Sequence, residues 1–225
     1  MAEKIQVQEP EANEVVDRVT GLWSQYSKPA LITIGALILL VGGFFGYKSF
    51  ISEPNEKKAA EAIFRAEANY RLDSIQLALN GDAVNPGFVK IISKYDGTKA
   101  GNLSKFYAGS CYLKLGDYKN AIKYLKDFST SSVQVQARAN SLLADAYSES
   151  GNKEEAVSLY RKAGTAFEKD DYNSPEYLFR AGALYEVMGK NQDAIEMYKI
   201  IKEKYPRSER GFEIDKYLAR LGSTE

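Results

Sequence analysis

Gly109-Ser-Cys-Tyr112-Leu-Lys-Leu-Gly116-Asp-Tyr-Lys-Asn-Ala121 recurs as Ala144-x-x-Tyr147-x-x-x-Gly151-x-x-x-x-Ala156 and again as Gly182-x-x-Tyr185-x-x-x-Gly189-x-x-x-x-Ala194. Each copy reads as a helix, a turn and a second helix. A small residue at Gly109, Ala144 or Gly182 lets the first helix approach its neighbour, and the tyrosine one turn on fills the space between helices. The glycine stands where the first helix ends, a place that favours the left-handed conformation glycine adopts without steric penalty. The paired helices then meet at Ala121, Ala156 or Ala194.

Working outward, Leu125, Tyr160 and Tyr198 follow the alanines by four and Phe128, Ala163 and Ile201 by seven, and Pro206 closes the third copy. The pattern resembles the tetratricopeptide repeat, which implies an all-α solenoid of helix-turn-helix units. The alternative is a helical bundle with coincidental spacing. The turn glycines are 35 and then 38 residues apart, against a repeat of about 34. The larger excess is expected at Asp171-Tyr172-Asn173-Ser174-Pro175.

The rest of the chain divides around this array. Residues 1–28 form a tail whose first ten residues are expected to be disordered. From Glu11 onward Val15, Val16, Val19, Leu22, Trp23 and Tyr26 recur at helical spacing. That short amphipathic helix is read as lying on the membrane surface, the alternative being a docking helix for a partner, since apolar periodicity alone does not separate the two. Pro29 to Tyr47 are 19 consecutive uncharged residues, long enough as a helix to cross about 30 Å of hydrocarbon. Residues 29–51 are therefore read as a transmembrane helix, with Trp23, Tyr26, Tyr47 and Phe50 as interfacial aromatics. No small-x-small cleavage site follows it, so the segment is expected to stay in the mature protein. Gly35, Gly42 and Gly46 lie near one face and offer a surface for another membrane helix, although glycine is common in such helices without a partner.

Residues 52–225 are the expected repeat domain. Ser52 to Asn55 should interrupt the membrane helix, with Pro54 in the first turn of the next. Glu56 to Leu79 reads as one long amphipathic helix and Phe88 to Tyr95 as a short one, so that 56–95 makes a degenerate capping repeat. Lys94-Tyr95 with Gly101 matches Lys204-Tyr205 with Gly211. Three repeats fill 102–206, and Ser208 to Leu221 closes the array; both ends of a solenoid need such caps.

Composition excludes several chemistries. The chain has 30 basic and 30 acidic residues and no histidine. Nothing in that balance favours nucleic acid, which needs clustered basic surface. Histidine acid-base catalysis, histidine-activated nucleophiles and histidine metal ligation are excluded. The single cysteine, Cys111, falls inside a repeat helix and reads as a buried, unreactive thiol. No catalytic residues, cofactor or metal site are expected, and paired acids such as Glu154-Glu155 read as solvated positions.

Taken whole, the chain resembles the YfgM-like ancillary subunits of the bacterial Sec translocon. The resemblance is most specific from Phe88-Val-Lys-Ile-Ile-Ser-Lys-Tyr95-Asp-Gly-Thr98 through Tyr118-Lys-Asn-Ala121. It implies a single-pass inner-membrane protein with a cytoplasmic N-terminus and periplasmic repeats. Its partners would be the translocation channel and a membrane-anchored, prolyl-isomerase-like chaperone. Basic residues near the span (Arg18 and Lys28 before; Lys48, Lys57, Lys58, Arg65 and Arg71 after) count toward the opposite orientation, but that rule is meant for short loops. The alternative function is a membrane-anchored organiser of another envelope assembly complex.

In tetratricopeptide arrays the first helix of each pair lines a concave face. The resemblance assigns to it Phe106, Ser110, Leu113 and Lys114; Arg138, Ser141, Asp145 and Glu149; and Glu176, Phe179, Ala183 and Glu186. The Lys and Asn clamp with which some members hold a C-terminal carboxylate is absent at its first-repeat positions, where Phe106 and Ser110 stand. A mixed face suits an extended peptide or a partner helix, unless these are simply solvated surfaces.

Overall fold

The computed structural model describes residues 12–223 and forms two compact units divided after Pro54. The first ten residues, expected to be disordered, lie outside the described residues, as does Glu11. The first unit carries α1 (Ala12–Tyr47) and a π-helical turn, Lys48–Ser52. The amphipathic and membrane-spanning segments, expected as two helices, are one. Pro29 sits inside it and has no N–H to donate to the Gln25 carbonyl, while Thr33 Oγ1 returns a bond to the Pro29 carbonyl at 2.8 Å. The expected interruption before Pro54 is absorbed by the π turn, in which the Glu53 N–H reaches back to the Lys48 carbonyl. Among the described residues one helix is long and apolar enough to cross a membrane, with a mean hydropathy of 1.8 and 0% of its apolar window buried.

The second unit contains α2 (Glu53–Arg71, from Asn55 on), α3 (Ile75–Asn80), α4 (Phe88–Lys94), α5 (Lys99–Lys114), α6 (Tyr118–Asp127), α7 (Val133–Glu149), α8 (Lys153–Thr165), α9 (Asn173–Val187), α10 (Asn191–Lys204) and α11 (Glu209–Arg220). Among the described residues the one β-type pairing is an isolated bridge between Gly81 and Pro86.

The helices stop where the sequence says they should. Gly116, Gly151 and Gly189 have φ of 76°, 89° and 72°. Past each, an N–H group folds back in the same way: Asp117 N–H to the Tyr112 carbonyl, Asn152 to Tyr147 and Lys190 to Tyr185, all at 2.9 Å. This closure satisfies carbonyls that the helix end leaves open. The helix expected over Glu56 to Leu79 breaks by the same device. Asp73, with φ 55°, takes the left-handed place a glycine holds in the later copies, and Ser74 N–H bonds the Asn69 carbonyl at 2.9 Å. No glycine or proline marks that break in the sequence. Side-chain caps open α5, α6, α8 and α11, from Thr98, Asp117, Asn152 and Ser208. Such caps contribute about 1 kcal/mol each.

Two rows of helices result. Between α2 and α5, Glu56 accepts the Lys99 N–H, Tyr70 bonds Ser110, and Lys114 bonds Asp73, so the two helices run parallel. Arg180–Asp145, Arg210–Glu176 and Arg220–Glu186 join α7, α9 and α11 in the same sense. Lys190–Glu154 and Arg161–Glu196 do so for α8 and α10. The rows meet through the small positions. A Cβ on Gly109 would lie 2.5 Å from Leu125 Cγ and one on Gly182 2.4 Å from the Tyr198 ring, each sixteen residues on. Ala121, Ala156 and Ala194 are fully buried in the same seam.

Candidate partner-binding face

The first-row helices α5, α7 and α9 carry the twelve residues assigned to the concave face, and the structure sorts them into three environments. Phe106 and Leu113 are half-buried, packed with Leu125, Leu142 and Leu143, and Phe106 also meets the rings of Tyr107 and Phe128 at 5.5 Å each. Ser110 is buried and shares a 2.7 Å hydrogen bond with the Tyr70 hydroxyl. Ser141 is fully buried and its hydroxyl has no hydrogen-bond partner. These two serines face the packing between helices. Lys114, Arg138 and Glu149 are exposed; Asp145, Glu176, Phe179, Ala183 and Glu186 are half-buried.

The half-buried charges are tied to groups outside the assigned set. Asp145 accepts bonds from the Tyr160 hydroxyl and, at 2.9 Å, from Arg180. Arg180 also donates to Glu176 at 2.8 Å, and the other oxygen of Glu176 takes Arg210 at 2.7 Å. Arg210 in turn lies 4.0 Å over the Phe179 ring. Glu186 accepts from Tyr198 at 2.5 Å and from Arg220 at 2.8 Å. The result is a continuous ladder across α7, α9 and α11. Its signal in the sequence is opposite charges 34 or 35 residues apart, legible once the repeat period is used as a contact rule.

Electrostatics follow from this wiring. Burial pushes the Tyr160 and Tyr198 hydroxyls well up, and the carboxylates of Asp145 and Glu186 push them further. Burial works to raise Glu176, but hydrogen bonds from Arg210 and Arg180 outweigh it and hold the carboxyl below its ordinary range. A depressed folded-state pKa contributes stability that is complete above the unfolded value and is lost as pH falls through the folded one. The melting temperature of Glu176→Gln is therefore expected to fall well short of the parent's at pH 7, with the gap closing below about pH 4. An equal gap at pH 7 and pH 3 would refute this assignment. Burial pushes the Cys111 thiol up to about 12, leaving it protonated and unreactive at neutral pH.

At the end of the ladder lies a cleft of about 440 Å³. Arg138, Glu176, Tyr177, Arg180 and Arg210 line it from three first-row helices, and Tyr172 comes from the α8–α9 loop. That loop runs over residues 166–172, seven residues where the connections after α4, α6 and α10 have four, five and four. It is ordered by Asp170, whose carboxylate accepts the N–H groups of Tyr172 and Asn173 at 3.2 and 2.8 Å. In the first unit, a Cβ added to Gly35, Gly42 or Gly46 would meet nothing within 4 Å. Packing inside the chain thus makes no demand for glycine there.

No curated protein matches the sequence. A family model described as a tetratricopeptide repeat-like domain matches residues 21–214, most of the chain, and points to interaction rather than to any catalytic class. With the repeated helix closures, the two parallel rows and this match in agreement, the chain belongs to the tetratricopeptide repeat-like domain family.

Proposed function

We propose that this protein is a non-enzymatic, membrane-anchored scaffold or chaperone-like adaptor. Its repeats stand in the periplasm and associate with the Sec translocon, or with a membrane-anchored prolyl-isomerase-like chaperone, during protein export. The observation that supports this reading is an exposed apolar helix on the same chain as a repeat array of the interaction type. Leaving such a helix in water is unfavourable by roughly 25 cal/mol per Å² of apolar surface, and lipid removes that cost. The compartment and the named partners rest on the resemblance to YfgM-like subunits.

Topology is tested by adding protease to spheroplasts. The repeats are expected to be digested while a tag at Met1 survives; protected repeats would reverse the orientation. Partnership is tested by co-purification in mild detergent, with channel subunits expected in the eluate. Recovery of a different envelope complex in their place would favour the alternative organiser role. We place a second contact on the glycine face of α1, because tethering at one site raises the effective concentration at the other. Gly42→Leu combined with Gly46→Leu is expected to reduce partner recovery severalfold with the repeats still folded. Wild-type recovery from that variant would remove the membrane contact from the proposal.

A further inference from the structure

We propose that the cleft between α7, α9 and α11 takes a single carboxylate of a partner polypeptide on Arg138, an inference that rests on the interaction role proposed above. The charge ladder is incomplete at this one place. Along the first row, Arg180 and Arg210 each hold a carboxylate within 3 Å, from Asp145 and Glu176. Arg138 occupies the corresponding row on α7, exposed and lining the cleft, and among the described residues no carboxylate lies within 4 Å of it. The row thus runs guanidinium, carboxylate, guanidinium through Arg138, Glu176 and Arg210, but both oxygens of Glu176 are committed to Arg180 and Arg210.

The gap coincides with the longest spacing along the row. Thirty-eight residues separate Arg138 from Glu176, where 34 separate Glu176 from Arg210. The extra length is spent in the α8–α9 loop, which forms one wall of the cleft and sets the exposed ring of Tyr172 at its edge. Arg138 is engaged by the neutral Tyr177 hydroxyl and by no carboxylate among the described residues, so its charge stays uncompensated. With an aromatic at the lip, this suits a carboxylate flanked by apolar or aromatic residues. Asp171 and Glu209 also line the cleft and are exposed beyond ion-pair distance of Arg138, so they disfavour a run of acids. The ligand class is therefore one Asp, Glu or terminal carboxylate in an otherwise uncharged segment.

The test uses the full chain in nanodiscs against two displayed libraries of random peptides about ten residues long, one with the random stretch internal and one ending in a free carboxylate. Selected sequences are expected to carry one acid or a free terminus, and the two libraries tell side chain from terminus. Labelled copies of the winners should bind Arg138→Gln at least about tenfold more weakly by anisotropy, the loss of a charge-assisted contact. Arg138→Lys should recover part of that loss, since it keeps the charge without the fork. Binders that show no acidic preference, or that bind Arg138→Gln as well as the parent, would overturn this inference and leave the interaction role standing. Failure to select any binder from either library would count against both.

Discussion

Ala156→Asp is expected to unfold the repeat domain or to lower its melting temperature by roughly 10 °C or more. Ala156 is fully buried in the cluster that also holds Ala144, Tyr160, Leu178 and Ala181, so α7, α8 and α9 all meet there. An aspartate at that point has no cation to meet, and burying it unpaired costs several kcal/mol. Total stability of a domain is only about 5–15 kcal/mol, and in a repeat array much of it resides in the interfaces between neighbours. Each kcal/mol lost shifts the midpoint by about 2–4 °C at this size. Circular dichroism of residues 56–225 reads the outcome, and an unchanged midpoint would mean that the seam between the rows is not where the structure puts it.

Gly211→Ala should be nearly as damaging, for a different reason. The Ser208 hydroxyl donates to the Tyr205 carbonyl at 2.8 Å and accepts the Gly211 N–H at 3.0 Å. That draws the chain so close that a Cβ on Gly211 would stand 2.1 Å from the Tyr205 oxygen. A backbone carbonyl cannot swing aside as a side chain can, so the cap must open. Overpacking of this kind costs about 3 kcal/mol. Because the strain is confined to the start of α11, the loss should appear first as faster amide exchange there, around Phe212 and Ile214. Protection of α11 at the parent's level would contradict the prediction.

The amino-acid sequence already carries this tight cap. Gly101 is held the same way, with its Cβ position 2.1 Å from the Tyr95 oxygen. The match of Lys94-Tyr95-Gly101 with Lys204-Tyr205-Gly211 is legible because both ends of the motif are local. So are the turn glycines, whose left-handed φ depends on residues within one helical turn. Features that are not legible depend on distance along the chain or on competition between conformations. Asp73 breaks α2 from α3 without a glycine, and no propensity argument separates it from an ordinary exposed aspartate. Ser110 and Ser141 fall on the concave face by spacing, yet Tyr70 and the neighbouring helices cover them. Arg180, Arg210 and Arg220 are missed by spacing within one repeat because each serves a carboxylate on the preceding first-row helix.

The inter-repeat ion pairs of the later helices have one further consequence. Asp145–Arg180, Glu154–Lys190, Arg161–Glu196, Glu168–Lys204, Glu176–Arg210 and Glu186–Arg220 each span 34 to 36 residues. Within this stretch each tie joins one repeat to the next. A polypeptide wired this way does not wait for its last residue before its earlier parts can close. Each link becomes available as soon as the following three dozen residues have emerged, and short spans of this sort close quickly. A chain delivered amino end first, from a ribosome or through a channel, can therefore set behind its leading edge while its tail is still in transit.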